Sequence, residues 1–205
     1  MQPNAINEKT RNVLEKLVSS VIASEFYLAG GTALAIQLGH RESVDLDFFS
    51  KENFSNSEIK KKLSEIGDFF LSGEEEGTIN GVLDGVKLSF LRYDYGQLYP
   101  FLEFEGLKLA DERDIAAMKI DAISSRGSKK DFVDLYFLME KYNLTDLIEF
   151  FEKKFKNIKY NKLHILKSIT FFDDAENEPV PVMLKKIGWE DVKNRISEES
   201  RKLAL

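Results

Sequence analysis

The stretch FYLAGGTALAIQLGHRESVDLDFFS, residues 26–50, limits what this chain can fold into more than any other part of it. It opens with apolar residues, turns at paired glycines and ends with two acids set among apolar residues. This pattern predicts four elements in order: a strand over residues 26–28, a turn at Gly30 and Gly31, a helix opened by Thr32, and a strand carrying Asp45 and Asp47. Two glycines therefore precede a single helix, and two acids follow it.

Asp45 and Asp47 are expected on one face of the second strand, because side chains alternate between faces along a strand. Val44, Leu46 and Phe48 then point toward the core. At an effective dielectric constant near 20, two carboxylates about 6 Å apart repel by roughly 3 kcal/mol, so the pair needs a cation or a raised pKa. Oxygen ligands without a nearby cysteine favour Mg²⁺ or Mn²⁺ over zinc.

The glycine turn predicts an anion site beside these acids. Gly30 and Gly31 allow backbone N–H groups and the first turn of the helix to face an anion, and Thr32 can add a hydroxyl. Each feature alone also has a purely structural explanation. A Gly-Gly-Thr turn often caps a helix, and an Asp-x-Asp pair occurs on solvated edge strands. Together, a phosphate cradle and a carboxylate pair indicate nucleotide chemistry.

Gly-Gly-Thr, one helix and Asp-Leu-Asp on the next strand resemble the signature of the polymerase-beta-like nucleotidyltransferase superfamily. The wording LAGGTALAIQLGHRESVDLDFFS resembles its AbiEii-type toxin branch, and SITFFDDAENEPVPVMLKKIGWEDVK resembles the C-terminal part of that branch. The resemblance implies that the glycine turn and Thr32 bind the phosphates of an NTP, and that Asp45 and Asp47 bind the metal ion.

A third metal-binding acid is common on a later strand of the wider superfamily. In VKLSFL the position aligned to it is Ser89, which is a departure from the pattern. Asp94, Glu103 or water could take its place, or two carboxylates could suffice.

A second group of charged residues lies between residues 119 and 134. Lys119 falls on a predicted helix over 111–123, and Arg126 in the turn that follows it. Lys130, Asp131 and Asp134 fall on a predicted helix over 129–141, the two acids on a different face from its apolar residues.

The order of these five residues also resembles motifs of the AbiEii branch, in which the lysine and an aspartate are functionally required. The resemblance implies that Lys119 neutralises phosphate or transition-state charge and that Arg126 and Lys130 meet nucleotide phosphates. Asp131 or Asp134 is then an acid that orients Arg, Lys or the acceptor hydroxyl.

The fold class predicted for the whole chain is α+β. An N-terminal nucleotidyltransferase-like mixed sheet with flanking helices is expected over residues 1–110. A C-terminal helical bundle that completes the active-site cleft is expected over 111–205. The local predictions are a helix over 7–24 that includes Val21, a helix over 54–66, a hairpin around Asp84-Gly85, helices over 144–155, 163–172 and 189–205, and an acidic loop over 173–181.

The composition excludes several classes of protein. The 205 residues contain no cysteine, so a disulfide framework and thiolate metal sites are excluded. The N-terminus shows no signal pattern and no apolar run approaches about 18 residues, so no membrane partner is expected and a cytoplasmic location is the default. The net charge of -6 argues against a protein that binds nucleic acid over its whole surface. A local basic face, such as Lys60–Lys62, is compatible with this charge.

The leading hypothesis is transfer of a nucleotide from an NTP to an acceptor hydroxyl. The resemblance implies a toxin of a bacterial toxin–antitoxin or phage-defence system, with a cognate antitoxin and with RNA, often tRNA, as acceptor. The alternative, motivated by Ser89, is an effector that binds NTP and Mg²⁺ without turnover and acts through a protein partner. A third hypothesis, a helical interaction module, predicts that Asp45→Ala and Asp47→Ala have no effect.

Overall fold

The computed structural model describes residues 1–20 and 22–203, and the chain divides into two units, Met1–Asp111 and Glu112–Leu205. Among the described residues, the first unit holds all the strands and the second is helical, which confirms the α+β class. Val21 and the last two residues of the predicted closing helix lie outside the described residues. No helix in the described part of the chain has both the length and the apolar character of a bilayer span.

Capping residues mark three of the helix ends in the first unit. Asn7 accepts a hydrogen bond from the N–H of Thr10 at 2.8 Å, and Ser55 caps the fourth helix in the same way. Gly39, at φ +61°, ends the third helix in the left-handed conformation that glycine adopts readily. After a 3₁₀ turn at Pro3–Ala5, the helices are α1 (Glu8–Ser19), α2 (Ile22–Glu25), α3 (Gly30–Leu38) and α4 (Asn56–Ile66). The single helix predicted over 7–24 is wrong, because α1 ends at Ser19 and Ser20 has an extended backbone.

The strands of the first unit form one mixed sheet in the order β3-β4-β5-β2-β1-β7-β6. β2 runs antiparallel to β1 and parallel to β5. Asp84 and Gly85, both at positive φ, make the predicted tight turn between β4 and β5. The strands are β1 (Tyr27–Ala29), β2 (Leu46–Ser50), β3 (Phe69–Glu75), β4 (Thr78–Leu83), β5 (Val86–Arg92), β6 (Leu102–Phe104) and β7 (Leu107–Leu109).

The core of the first unit lies on one face of this sheet. Leu46, Phe48, Leu88 and Phe90 are all buried, and the rings of Phe48 and Phe90 stack with centroids 5.2 Å apart. The predicted core positions of β2 are therefore confirmed for Leu46 and Phe48. The sheet face that carries Asp47 and Ser89 is the opposite one, because both residues alternate with these core residues.

Three details of the predicted strand–turn–helix–strand unit are wrong. The helix begins at Gly30 rather than at Thr32. β2 begins at Leu46, so Asp45 lies in the segment just before the strand. Val44, expected in the core, is 45% exposed. The ladder between β2 and β5 starts at Leu46 and Leu88, so the chain before Leu46 lies outside the sheet and is not covered by it.

The second unit is built from six helices within the described residues. Asn143 and Asp146 form a reciprocal capping box that starts α7. A fully buried ion pair, with Lys154 Nζ 2.7 Å from Asp114 Oδ1, links α7 to α5. The helices are α5 (Glu112–Ser125), α6 (Lys129–Leu138), α7 (Leu144–Lys154), α8 (Lys162–Ile169), α9 (Asp173–Glu176) and α10 (Trp189–Leu203).

Three predictions for the second unit need correction. α8 ends at Ile169, three residues before its predicted end at residue 172. α6 ends at Leu138, three residues before the predicted end at residue 141. The segment over residues 173–181, predicted as an acidic loop, begins with the helical turn α9. The assignment of separate roles to residues 1–110 and 111–205 stays a prediction.

Candidate active site

A row of cross-strand neighbours surrounds Asp47 on the sheet. Asp47 pairs with Ala29 of β1 on one side and with Ser89 of β5 on the other, and Ser89 pairs in turn with Asn80 of β4. Neighbouring strands lie about 4.8 Å apart, so the side chains of Asp47 and Ser89 are adjacent on one face. Ser89 therefore occupies the position beside Asp47 at which the resemblance to the superfamily implies a third acid.

The two other acids considered for that role do not lie beside Asp47. Glu103 is on β6, three strands from β2, which is about 14 Å at the usual spacing. Asp94 follows the end of β5, and it accepts a hydrogen bond from Arg92 Nε at 3.0 Å. Within the described residues, no group of three or more His, Cys, Asp and Glu side chains is placed to hold a metal ion.

The glycine turn packs directly against Asp47. β1 ends at Ala29, beside Asp47, and the chain turns at Gly30 with φ +68°. A Cβ atom at Gly30 would lie 3.0 Å from Asp47 Oδ2, closer than nearly all real contacts of this kind. The backbone angle therefore favours glycine at this position, and a side chain there would press on the carboxylate. The predicted phosphate cradle and a predicted metal ligand are in contact.

Gly31 lies against the guanidinium of Arg41, a residue that the sequence analysis missed. A Cβ atom at Gly31 would overlap Arg41 Nη2. Arg41 is buried, and its Nη1 donates to the carbonyl of Glu42 at 3.0 Å. A single arginine in a polar loop produces no sequence pattern that would mark it as part of a site. The only signal available was its position between the glycine turn and Asp45.

Thr32 joins α3 to the segment that carries Asp45. Its side chain is buried, and its hydroxyl donates to the carbonyl oxygen of Asp45. The same hydroxyl lies 2.8 Å from Ser43 Oγ. Thr32 thus fixes the backbone of one of the two acids. The phosphate contact expected for its hydroxyl stays a prediction.

Asp45 and Asp47 are suited to a hard divalent ion. Both residues are half-buried, so each keeps part of its surface in contact with solvent. Mg²⁺ is bound in many phosphate-transfer sites by one or two carboxylates, with water and substrate phosphates filling its other positions. Asp45 and Asp47 supply two carboxylates near the glycine turn, and their convergence on one ion stays a prediction because Asp45 lies before the strand.

In the second unit, Lys119 bridges Asp131 and Asp134. Its Nζ lies 2.8 Å from Asp131 Oδ1 and 2.6 Å from Asp134 Oδ2. The lysine side chain is 5% exposed and neither acid is exposed at all. The three predicted residues are brought together. The acids, expected on a separate face of α6 from its apolar residues, are instead buried with them, and the ammonium of Lys119 is shared between the two carboxylates.

Asp131 holds two further groups. Arg126 Nε donates to Asp131 Oδ2 at 3.0 Å, and Ser128 Oγ donates to the same oxygen at 2.7 Å. Burial alone would raise the pKa of Asp131, but the charges of Lys119 and Arg126 lower it to about 2. A carboxylate with this pKa is a poor proton acceptor near neutral pH, so Asp131 can orient cations better than it can act as a base. Ser128 is a second residue that the sequence analysis missed.

The remaining cations of this region differ in exposure. Arg126 is 60% exposed although it is bonded to Asp131, so its guanidinium can also meet solvent or a ligand. Lys130 is exposed on α6. Its neighbour Lys129 is buried and donates to the carbonyls of Glu176 and Glu178, which gives it a structural role. The nucleotide contacts expected for Arg126 and Lys130 stay predictions.

The fold and these residues define a class of protein. A mixed sheet with a glycine turn packed on an Asp-x-Asp pair, followed by a helical unit, is the arrangement of a nucleotidyltransferase. A family model described as "Nucleotidyl transferase AbiEii toxin, Type IV TA system" matches residues 12–203. The chain belongs to this family of nucleotidyltransferase toxins. Membership implies a nucleotide substrate and an antitoxin partner.

Similar proteins extend over most of the chain. The uncharacterized protein aq_aa25 of Aquifex aeolicus is 40% identical over 183 residues, which are 84% of this chain and 86% of that protein. A crystal structure of an H. pylori protein assigned as a nucleotidyltransferase covers 96% of this chain and 92% of its own, with a TM-score of 0.59 at 18% identity. The nucleotidyltransferase toxin MenT4 of Mycobacterium tuberculosis H37Rv covers 95% and 82%, with a TM-score of 0.57 at 13% identity. At these identities the two structures show a shared fold.

Proposed function

We propose that the protein is a Mg²⁺-dependent or Mn²⁺-dependent nucleotidyltransferase that transfers a nucleotide from an NTP to a hydroxyl of RNA, with tRNA as the candidate acceptor. In this proposal it acts as the toxin of a bacterial toxin–antitoxin or phage-defence system. The observation that carries the proposal is the contact of Gly30 with the Asp47 carboxylate. This contact joins a turn able to hold phosphate to an acid able to hold a metal ion.

The residues of the first unit have separable roles. The backbone N–H groups at Gly30 and Gly31, with the positive end of α3, would hold the phosphates of the NTP. Asp45 and Asp47 would hold the metal ion, and Thr32 fixes the backbone of Asp45. When bound, the ion would neutralise phosphate charge and stabilise the entering and leaving oxygens of an in-line displacement.

The second unit would supply positive charge to the nucleotide. Lys119 is enclosed and balanced by two acids, so in this arrangement its charge serves mainly to hold Asp131 and Asp134. Arg126 is the exposed cation of the group and the stronger candidate for a phosphate contact. Asp131 would orient Arg126 through the hydrogen bond to Nε, and the exposed Lys130 would add to the local positive charge.

The proposed location is the cytoplasm, because an NTP donor and an RNA acceptor are both found there. The proposed protein partner is a cognate antitoxin.

A labelling assay with the purified full chain tests the proposal. The protein is incubated with Mg²⁺, total bacterial RNA and each α-labelled NTP in turn, and label retained in RNA is measured. We expect label from at least one NTP with the unsubstituted chain and none with Asp47→Asn. Glu65→Gln, a change at an exposed acid on α4, is the matched control and should retain full labelling.

The alternative function is an effector that binds NTP and Mg²⁺ without turnover. The register of Ser89 with Asp47 favours it, because a serine stands where a third metal ligand would otherwise lie. The effector would be favoured over the transferase if no NTP labels the RNA while calorimetry still detects Mg²⁺-dependent NTP binding. Unchanged NTP binding in both Asp45→Ala and Asp47→Ala would leave the pair without any role in either function.

A further inference from the structure

Five aromatic rings lie beside Asp47 on the first unit, and they are not used in the function proposed above. We call them the aromatic cluster: Tyr27, Phe49, Tyr93, Tyr95 and Phe101. Their ring centroids are 4.9–5.9 Å apart in the order Phe101, Tyr27, Phe49, Tyr93 and Tyr95. Tyr27 and Phe49 form the buried floor, whereas Phe101 is 39% exposed and Tyr93 and Tyr95 are half-buried.

The aromatic cluster and the glycine turn flank Asp47 on opposite sides. β1 and β2 are antiparallel, with Ala29 opposite Asp47 and Tyr27 opposite Phe49. The chain after Ala29 therefore continues toward Asp45, where Gly30 turns. Tyr27 and Phe49 lie in the other direction, on the same sheet face as Asp47 and two residues along the strand, which is about 7 Å.

This placement predicts the side from which the acceptor enters. The inference rests on the function proposed above. In an in-line displacement the attacking and leaving oxygens lie on opposite sides of the α-phosphorus. The attacking hydroxyl oxygen forms a bond to that phosphorus, and the bond from phosphorus to the oxygen bridging to the β-phosphate breaks. Pyrophosphate leaves with the electron pair, and the hydroxyl proton passes to solvent. With the leaving phosphates at the glycine turn, the attacking hydroxyl comes from the side of the aromatic cluster.

We propose that the aromatic cluster binds the terminal base of the acceptor. The acceptor is the unpaired end of a nucleic-acid strand, and its ribose hydroxyl attacks the α-phosphorus of the NTP. Unpaired bases bind proteins by stacking on exposed aromatic side chains. Stacking also requires no positive charge, which suits a chain with a net charge of -6 that cannot grip phosphates over its whole surface.

A second observation points to a ligand at this segment. Gln97 lies between Tyr95 and Phe101 in sequence, in the connection between β5 and β6. Both its amide nitrogen and its amide oxygen are shielded from solvent with no hydrogen-bond partner among the described residues. Such unsatisfied polar groups are rare in folded proteins. A shift of this connection that uncovers the amide would present the donors and the acceptor that match the edge of a base.

The test measures the Michaelis constants of acceptor and donor separately. The acceptor is a short single-stranded RNA with a 3′-terminal adenosine, compared with the same RNA carrying an abasic 3′-terminal nucleotide. Phe101→Leu keeps an apolar side chain and removes the flat ring. We expect its KM for the RNA to rise roughly five-fold or more, with the KM for the NTP unchanged, which is the effect of losing one base–aromatic stack. The abasic RNA should bind both proteins equally poorly.

Phe70→Leu is the matched control. Phe70 is 71% exposed on the same face of the sheet but lies on β3, three strands from β2, so its removal should leave both KM values unchanged. Tyr95→Leu is a second variant that should act like Phe101→Leu.

A binding measurement separates failure of this inference from failure of the proposed function. The RNA carries 2-aminopurine at its 3′ end, and stacking quenches its fluorescence. One outcome is that the unsubstituted chain quenches the fluorescence, Phe101→Leu does not, and no transfer occurs. This outcome would support the aromatic cluster as a base-binding site and refute the transferase. Three outcomes would each overturn the assignment. The first is transfer with an unchanged KM for RNA in Phe101→Leu and Tyr95→Leu, the second is a rise in the KM for NTP alone, and the third is no binding of RNA.

Discussion

Ser89 stands in register with Asp47 on the parallel strand beside it, so their side chains are neighbours on one face of the sheet. The carboxylate pair of this chain therefore has a polar but uncharged neighbour at the position where a third oxygen ligand would complete a metal site. The consequence is testable, because the number of charged ligands tunes the affinity of an oxygen site for a divalent ion.

Ser89→Asp is expected to increase the affinity for Mg²⁺ or Mn²⁺ on the order of ten-fold, measured by calorimetry without NTP. Without metal, the added charge should lower the free energy of unfolding by about 1–3 kcal/mol, through repulsion with Asp47. Added Mg²⁺ should restore the loss. Ser89→Asn has the same size without the charge and is the control. Equal metal affinity in the two variants would contradict the prediction.

Gly30→Ala is expected to disable metal and NTP binding, because the new Cβ would press on the Asp47 carboxylate. The positive φ adds a strain of about 1–2 kcal/mol in the free energy of unfolding. Gly85→Ala is the matched control, since Gly85 has a similar φ of +73° and a new Cβ there would meet only the flexible end of Lys9. Chemical unfolding should show similar losses of stability for both variants, and calorimetry a loss of Mg²⁺-dependent NTP binding for Gly30→Ala alone. Normal NTP binding by folded Gly30→Ala would refute the proposed cradle.

Lys119→Met is expected to destabilise the second unit strongly. It leaves Asp131 and Asp134 buried without the ammonium that lies between them, a change that typically costs about 3–5 kcal/mol. Urea unfolding measures the change. A loss below about 1 kcal/mol would mean that the ion pairs contribute little to the fold.

Arg126→Gln is expected to separate function from stability. Arg126 is largely exposed, so its loss should change the free energy of unfolding by no more than about 1 kcal/mol. If its guanidinium neutralises phosphate charge, the transfer rate should fall roughly a hundred-fold. The labelling assay and urea unfolding of the same preparation decide the matter. Full activity in Arg126→Gln would exclude the proposed phosphate contact.

Local patterns in the sequence predicted much of the first unit. The glycine turn and the β4–β5 turn at Asp84-Gly85 both follow from the conformational preferences of a few adjacent residues. For α4 the sequence offered Ser55 or Ser57 as the first residue, and Ser55 is the cap. The start of β2 did not, because it depends on where the ladder to β5 begins, and Asp45 falls just outside it. The three-residue strand β6 is too short to give a periodic signal.

The charged residues of the site were identified by type, whereas their contacts were not predictable. Asp131 and Asp134 are expected on a face of α6 apart from its apolar residues, because charged side chains are seldom buried. Their burial depends on Lys119, which belongs to the preceding helix, and helical periodicity does not report such contacts between elements. The packing of Arg41 on Gly31 is likewise a contact across a loop that no spacing rule describes.

The pKa of Asp131 gives the last prediction, for stability in acid. Its pKa is about 2 in the folded protein against an ordinary value of 3.8, so the unfolded chain binds a proton at this carboxyl more readily. The contribution to stability is therefore fully present above about pH 4 and is lost as the pH falls through about 2, a change of about 2 kcal/mol. Asp131→Asn removes the titrating group, so its free energy of unfolding should fall less steeply between about pH 4 and pH 2 than that of the unsubstituted chain. Chemical unfolding at several pH values in that range measures both slopes, with Asp94→Asn as a control at an exposed acid. Parallel slopes for Asp131→Asn and the unsubstituted chain would show that Asp131 does not carry this acid sensitivity.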